Sequence, residues 1–237
     1  MVLGAASGCA RPYQPEGEIV FEDDFDGGQL DHSSWQTEMV WGRYTTGELQ
    51  HYDDAALSLN GDTLEIRATE KASKDRPYSS GVIASFDRFE FTYGYAEIRA
   101  RMPQGQGLWP AFWLASVDPD SGSEIDVVEF LGHEPDTVHL AMHYDANGEH
   151  FEPQVTYKGE DFTEGWHTFA VDWTPEVVVW YVDGVERARR MTGVPTTPMY
   201  LIANLAVGGE WPGDPDETTE FPATYEIDYI RVYERQR

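Results

Sequence analysis

Along most of the chain apolar and polar residues alternate with a period of two. Residues 18–22, 63–68, 95–101 and 225–233 largely follow this pattern, which belongs to strands with one buried face. Turn signals at Asn60-Gly61-Asp62, Asn147-Gly148, Asp183-Gly184 and Gly208-Gly209 separate them. No amphipathic stretch is long enough to predict a helix. The clearest hairpin spans 177–188, where Asp183-Gly184 supplies the positive φ angles of a tight turn. The pattern predicts an all-β fold, a two-sheet antiparallel sandwich, in one domain from 18 to 237 after an N-terminal tail of residues 1–17. Two stretches resist it, 23–60 and 208–219. Both read as long loops, and both carry tryptophans (Trp35, Trp41, Trp211) that are candidates for stacking on a ligand.

Composition narrows the function classes. With 43 acidic against 16 basic side chains, the net charge is -27. Only Lys71, Lys74 and Lys158 are lysines, and no basic stripe of the kind that grips phosphate is present. The acid is spread over the whole chain, as a solvated shell that serves solubility or a salty habitat. Eight Trp, 13 Tyr and 11 Phe supply core material that an acidic coil lacks. No run reaches the roughly 20 apolar residues of a membrane helix. Cys9 is the single cysteine, which excludes an internal disulfide. The small residues before Cys9 resemble the lipobox of bacterial lipoproteins, though the charged n-region is missing. The expectation is an extracellular or cell-surface monomer.

The most informative segment is Glu124-Ile125-Asp126-Val127-Val128-Glu129-Phe130. On a regular strand Glu124 and Asp126 share a face and Glu129 points to the other. A β-bulge at Val127-Val128 returns Glu129 to the face of the other two acids. Two carboxyl groups about 5 to 5.5 Å apart are what a retaining glycosidase needs. In that arrangement Asp126 orients Glu124, and the crowding of acids raises the pKa of Glu129. A solvated acidic face and a calcium cluster are the other readings. Trp109, Trp113 and Phe130 nearby favour a surface that holds a sugar ring.

The six residues from Glu124 to Glu129 resemble the bulged E-x-D-x-x-E signature of glycoside hydrolase family 16, in particular its laminarinase-like endo-1,3-β-glucanases. The likeness continues through 93–103, 105–114, 138–144, 166–173, 180–184, 204–209 and 221–233. It implies a jelly roll with a concave substrate cleft and a retaining endo-hydrolase of β-1,3-glucan, extending to mixed-linkage glucan, that needs no cofactor for its chemistry. Glu124 is implied as nucleophile, Asp126 as its assisting carboxylate and Glu129 as acid/base. Trp109, Trp113, His143, Glu48, Trp211 and Asn204 are implied to bind substrate. For Trp109 and Trp113 a place in the core stays open, as does a structural role for His143. A structural calcium is implied on the convex side, held by Asp24, the Gly61 carbonyl and Asp228. Gly47 stands where these enzymes usually carry Asn, and Val82 where they often carry Arg. Those departures keep a galactan such as agar among the substrates. A transglycosylase and a non-catalytic glucan-binding protein are the rival readings.

Overall fold

The computed structural model describes residues 13–40 and 46–235. Cys9 and Trp41 lie outside the described residues. Among those described, the chain forms strands and a single 3-10 turn (Asp54–Ala56), without an α-helix. Strands β1 (Ile19–Asp23), β2 (Gln50–Tyr52), β3 (Leu57–Leu59), β4 (Leu64–Ala68), β5 (Tyr78–Ser80) and β6 (Val82–Ala84) come first. Then follow β7 (Gly94–Arg101), β8 (Leu108–Ser116), β9 (Glu124–Phe130), β10 (Thr137–Ala146), β11 (Glu149–Phe151) and β12 (Gln154–Lys158). The last are β13 (His167–Trp173), β14 (Val178–Val182), β15 (Val185–Arg190), β16 (Met199–Val207) and β17 (Ala223–Tyr233). No helix of the described residues is long and apolar enough to cross a membrane.

Two large sheets pack face to face. One runs β15-β14-β13-β7-β17-β4-β3, with β1 also on β17; the other runs β11-β10-β9-β8-β16-β6, with β12 also on β10. Their pairings are antiparallel, and a small parallel pair, β2 with β5, stands apart. The predicted hairpin is β14–β15, with Asp183 at φ 53 and Gly184 at φ 68, as a tight turn requires. Inward-facing residues of both sheets, among them Phe112, Val128, Phe130, Phe169, Val171 and Trp180, form one core. Each fully buried aliphatic or aromatic side chain of this kind contributes about 1.5–3 kcal/mol.

The loop before β2 holds one correction. Trp35 is 1% exposed, and its Nε1 donates to Asp23 Oδ2 at 2.7 Å. It therefore closes one end of the core and is not available to stack on a ligand. A large aromatic in a turn-rich segment reads alike in either role; the half-buried carboxylate that accepts from the indole N–H is set by tertiary packing.

Candidate active site

The outward face of the second sheet is built by alternation. On β8, Trp109, Ala111, Trp113 and Ala115 point out while Leu108, Phe112 and Leu114 enter the core. Opposite them stand Ala206 and Asn204 on β16, and Glu129, Asp126 and Glu124 on β9. On the far side of β9, Glu129 pairs with His139, Asp126 with Ala141 and Glu124 with His143. Small residues beside the acids leave a floor between the two tryptophans. The cleft encloses about 580 Å³. Trp109, Trp113, His143, Glu48 and Asn204 line it together with the three carboxylates.

The bulge is where the sequence predicts it. Trp113 faces Asp126 and Phe112 faces Val128, so β9 carries one residue more than β8 between Asp126 and Glu129. The register against β10 shifts at the same place. Val127 and Val128 are both fully buried in the core, so the extra residue brings Glu129 to the acid face without exposing an apolar side chain. Trp180 on β14, in the opposite sheet, donates its Nε1 to the Asp126 carbonyl at 2.8 Å. That bond ties the acid-bearing strand to the opposite sheet beside the bulge.

Electrostatics in the cleft are dominated by burial and crowding. Burial, then the charges of Asp126 and Glu129, raise the Glu124 pKa well above the carboxylate range. Burial and then Asp126 likewise raise Glu129, while the Trp109 indole N–H, 3.2 Å from Glu129 Oε1, pulls it back down. Sequence reading raises Glu129; the structure raises Glu124 as well, because burial strips it of water and its neighbours on the strand are acidic. Burial lowers the His143 pKa, but the hydrogen bond and charge of Asp126 outweigh it and the net direction is up. His143 Nε2 lies 3.2 Å from Asp126 Oδ2 and 3.7 Å from Glu124 Oε1. Asp126 is almost fully buried, and its Oδ2 has no well-aligned hydrogen bond besides this ion-pair contact.

Each predicted residue has a distinct place. Trp109 and Trp113 are half-buried and face the cleft, not the core. Asn204 is buried: its Oδ1 accepts from Trp113 Nε1 at 2.8 Å, and its Nδ2 donates to the Tyr52 hydroxyl at 3.0 Å. It positions Trp113 and forms part of the floor. Glu48 turns on itself, with Oε2 accepting from the Thr46 N–H at 3.2 Å. Trp211 is 37% exposed beyond Trp109, edge-on to it at 5.3 Å and 4.7 Å from the His139 ring. His150, Asp145, Glu152 and Tyr52 were not singled out as site residues in the sequence. The Asn147-Gly148 turn is the signal that folds 149–152 back beside 143–146.

Known proteins agree with this geometry. The family model for glycosyl hydrolases family 16 matches residues 37–231. A beta-glucanase of Rhodothermus marinus is 34% identical over 92% of this chain and 86% of its own length. An endo-1,3-1,4-beta-glycanase of Rhizobium meliloti is also 34% identical, over 90% of this chain, which spans 51% of that protein. The laminarinase catalytic domain from Thermotoga maritima superposes with a TM-score of 0.85 at 34% identity, covering 94% of this chain and all of that domain.

Proposed function

The chain belongs to family 16 of the glycosyl hydrolases, and on that premise we propose that its cleft cuts β-1,3-glucan internally with retention of anomeric configuration. Similar proteins named a glucan endo-1,3-beta-glucosidase of Niallia circulans, an endo-beta-1,3-glucanase of Pyrococcus furiosus and a laminarinase of Thermotoga maritima support this reading. The assignment of roles rests on one observation, the bulge that puts Glu124, Asp126 and Glu129 on a single face alongside Trp109 and Trp113. In the first step Glu124 attacks the anomeric carbon, the glycosidic C–O bond breaks, and the Glu129 proton passes to the leaving oxygen. In the second, Glu129 takes a proton from water, whose oxygen displaces Glu124 from the anomeric carbon. Asp126, on the same face two residues from Glu124, is its assisting carboxylate and is itself held by His143. The nucleophile and the proton both come from the chain's carboxyl groups, so the reaction needs no cofactor.

Mixed-linkage glucan is a second substrate in this reading. Val82 on β6 pairs with Asn204 at the cleft floor but is fully buried, so no cation reaches into the cleft from that position. The experiment is early-time product analysis on laminarin, barley mixed-linkage glucan and agarose, with anomers resolved by NMR. β-Anomeric oligosaccharides from the two glucans are expected, and none from agarose. First-formed α-anomers would refute retention. Products longer than the donor would mark a transglycosylase, and binding without cleavage a glucan-binding protein.

A structural calcium at Asp24, Gly61 and Asp228 is the remaining part of the proposal. Strands β1 and β4 share one edge of β17, with Asp23 facing Ile230 and Leu64 facing Ile227. Asp228 lies between those two pairings on β17, Asp24 follows Asp23, and the 60–63 turn with Gly61 precedes Leu64. Oxygen donors from three segments suit a hard cation. The Arg99 guanidinium already engages the Asp228 carboxylate and competes for it. Removing calcium with a chelator is expected to lower Tm, and readdition to restore it; a Tm indifferent to both would return these residues to the acidic surface.

A further inference from the structure

We propose that His143, His150 and Glu152 form a site for a borderline divalent transition cation, zinc foremost, in the wall of the cleft, and that filling it inhibits hydrolysis. The site is made by one hairpin. Strand β10 turns through Asn147 (φ 54) and Gly148 (φ 79) into β11, which sets His150 opposite Asp145. The His143 and His150 rings then meet edge to edge, with centroids 5.5 Å apart, planes 29° apart, and His143 Nδ1 3.3 Å from His150 Nε2.

The outer nitrogens decide what the inner ones are. His143 Nε2 faces Asp126 Oδ2 at 3.2 Å, and His150 Nδ1 faces Asp145 Oδ1 at 2.8 Å. An ionised carboxylate only accepts, so in a neutral ring each outer nitrogen carries the hydrogen. With both rings neutral the two inner nitrogens are bare lone pairs aimed at each other, a clash that only a proton or a metal ion relieves. A cation between them removes the conflict. Two imidazole nitrogens, each about 2.0–2.1 Å from one tetrahedral zinc, lie about 3.3 Å apart, and that is the separation found here. A Glu152 carboxylate oxygen completes the group, all three ligand atoms lying within 4.8 Å of one another.

Two imidazoles and a carboxylate make an open three-ligand set with room for water, and imidazole selects zinc or copper over calcium. The carboxylates on the outer nitrogens are the partners that metal-bound histidines ordinarily have, fixing tautomer and ring orientation. His150 and Glu152 are exposed, so the ion enters from solvent. All three ligands line the cleft that holds the catalytic acids, and a hydrated dication there takes space a sugar needs.

The test is calorimetric titration of the full chain with zinc chloride, beside laminarin hydrolysis at increasing zinc. The wild type is expected to bind one ion at this site and to lose activity as it fills. His150→Ala and Glu152→Ala change exposed side chains; each should bind zinc at least about 10- to 100-fold more weakly, and Asp145→Asn should fall in the same range. The variants should keep their own activity at zinc concentrations that silence the wild type. Cobalt(II) should give the intense visible absorption of a tetrahedral site in the wild type only. Wild-type zinc affinity in both His150→Ala and Glu152→Ala, or no binding by the wild type, would overturn the site. Tight binding without inhibition would overturn its regulatory role. The calorimetric arm needs no substrate, so its outcome is independent of the glucanase assignment.

Discussion

Replacing Glu124 with glutamine is expected to lower laminarin hydrolysis by about four orders of magnitude and, at neutral pH, to make the protein more stable. The first effect is loss of the nucleophile, a group whose removal costs on that scale when covalent catalysis is the only efficient route. The second comes from the electrostatics of the cleft. Burial and two acidic neighbours raise the Glu124 pKa in the folded state above its unfolded value of about 4.3. A carboxyl group shifted upward contributes its stability fully below the unfolded pKa and loses it as pH rises through the folded one. Glutamine stays neutral throughout. The difference in Tm between variant and wild type is therefore near zero at acid pH, grows upward from about pH 4, and levels off above the raised pKa. Each kcal/mol relieved is worth about 2–4 °C in a chain of this size. Calorimetric scans of both proteins from pH 3 to 8 measure it; a Glu124→Gln protein less stable than the wild type at neutral pH would show that Glu124 is held charged by favourable contacts.

The second large effect belongs to Glu129. Glutamine there removes the proton donor, and laminarin turnover is expected to fall by about 10²- to 10⁴-fold. The loss should depend on the leaving group. An aryl glycoside that departs as a stable nitrophenolate needs no proton, so its glycosylation step should survive nearly intact. A uniform loss on both substrates would mean that Glu129 acts otherwise than as the acid. The pH profile adds a second readout. An acid must be protonated to work, so wild-type activity declines as pH rises through the elevated Glu129 pKa, and the variant should lack that limb. The Trp109 indole lowers the Glu129 pKa, so Trp109→Phe should move the same limb to higher pH.

The catalytic strand was readable in the sequence because its core residues frame its acids. Ile125, the valine pair and Phe130 alternate with Glu124, Asp126 and Glu129 in a way only a bulge reconciles, and a period of two carries that information directly. Trp109 and Trp113 follow from the same rule once β8 is laid beside β9. Other parts of the site depend on register, which alternation does not encode. The Asn147-Gly148 turn sets where β11 pairs with β10, but it places His150 opposite Asp145, and the reach of its ring to His143 depends on side-chain rotamers that no spacing encodes. The reach of Trp180 across the core to the Asp126 carbonyl is equally invisible, since a buried tryptophan reads the same whatever its N–H finds. Trp35 was misread for that reason. The short strands β2 and β3 fell inside a segment read as loop because three residues show no period.

The buried valine pair makes one point of the catalytic strand tolerant of a change in length. Both neighbours of β9 keep their register on either side of Val127-Val128. Losing either valine would straighten the strand and leave Ile125, one valine and Phe130 inward, with Glu124, Asp126 and the following glutamate outward. Losing a residue at any other step between the acids would turn a carboxylate into the core. A lineage can therefore shorten or lengthen this strand across that single seam and keep its chemistry, so the two spellings of the acid motif, bulged and regular, are one mutation apart.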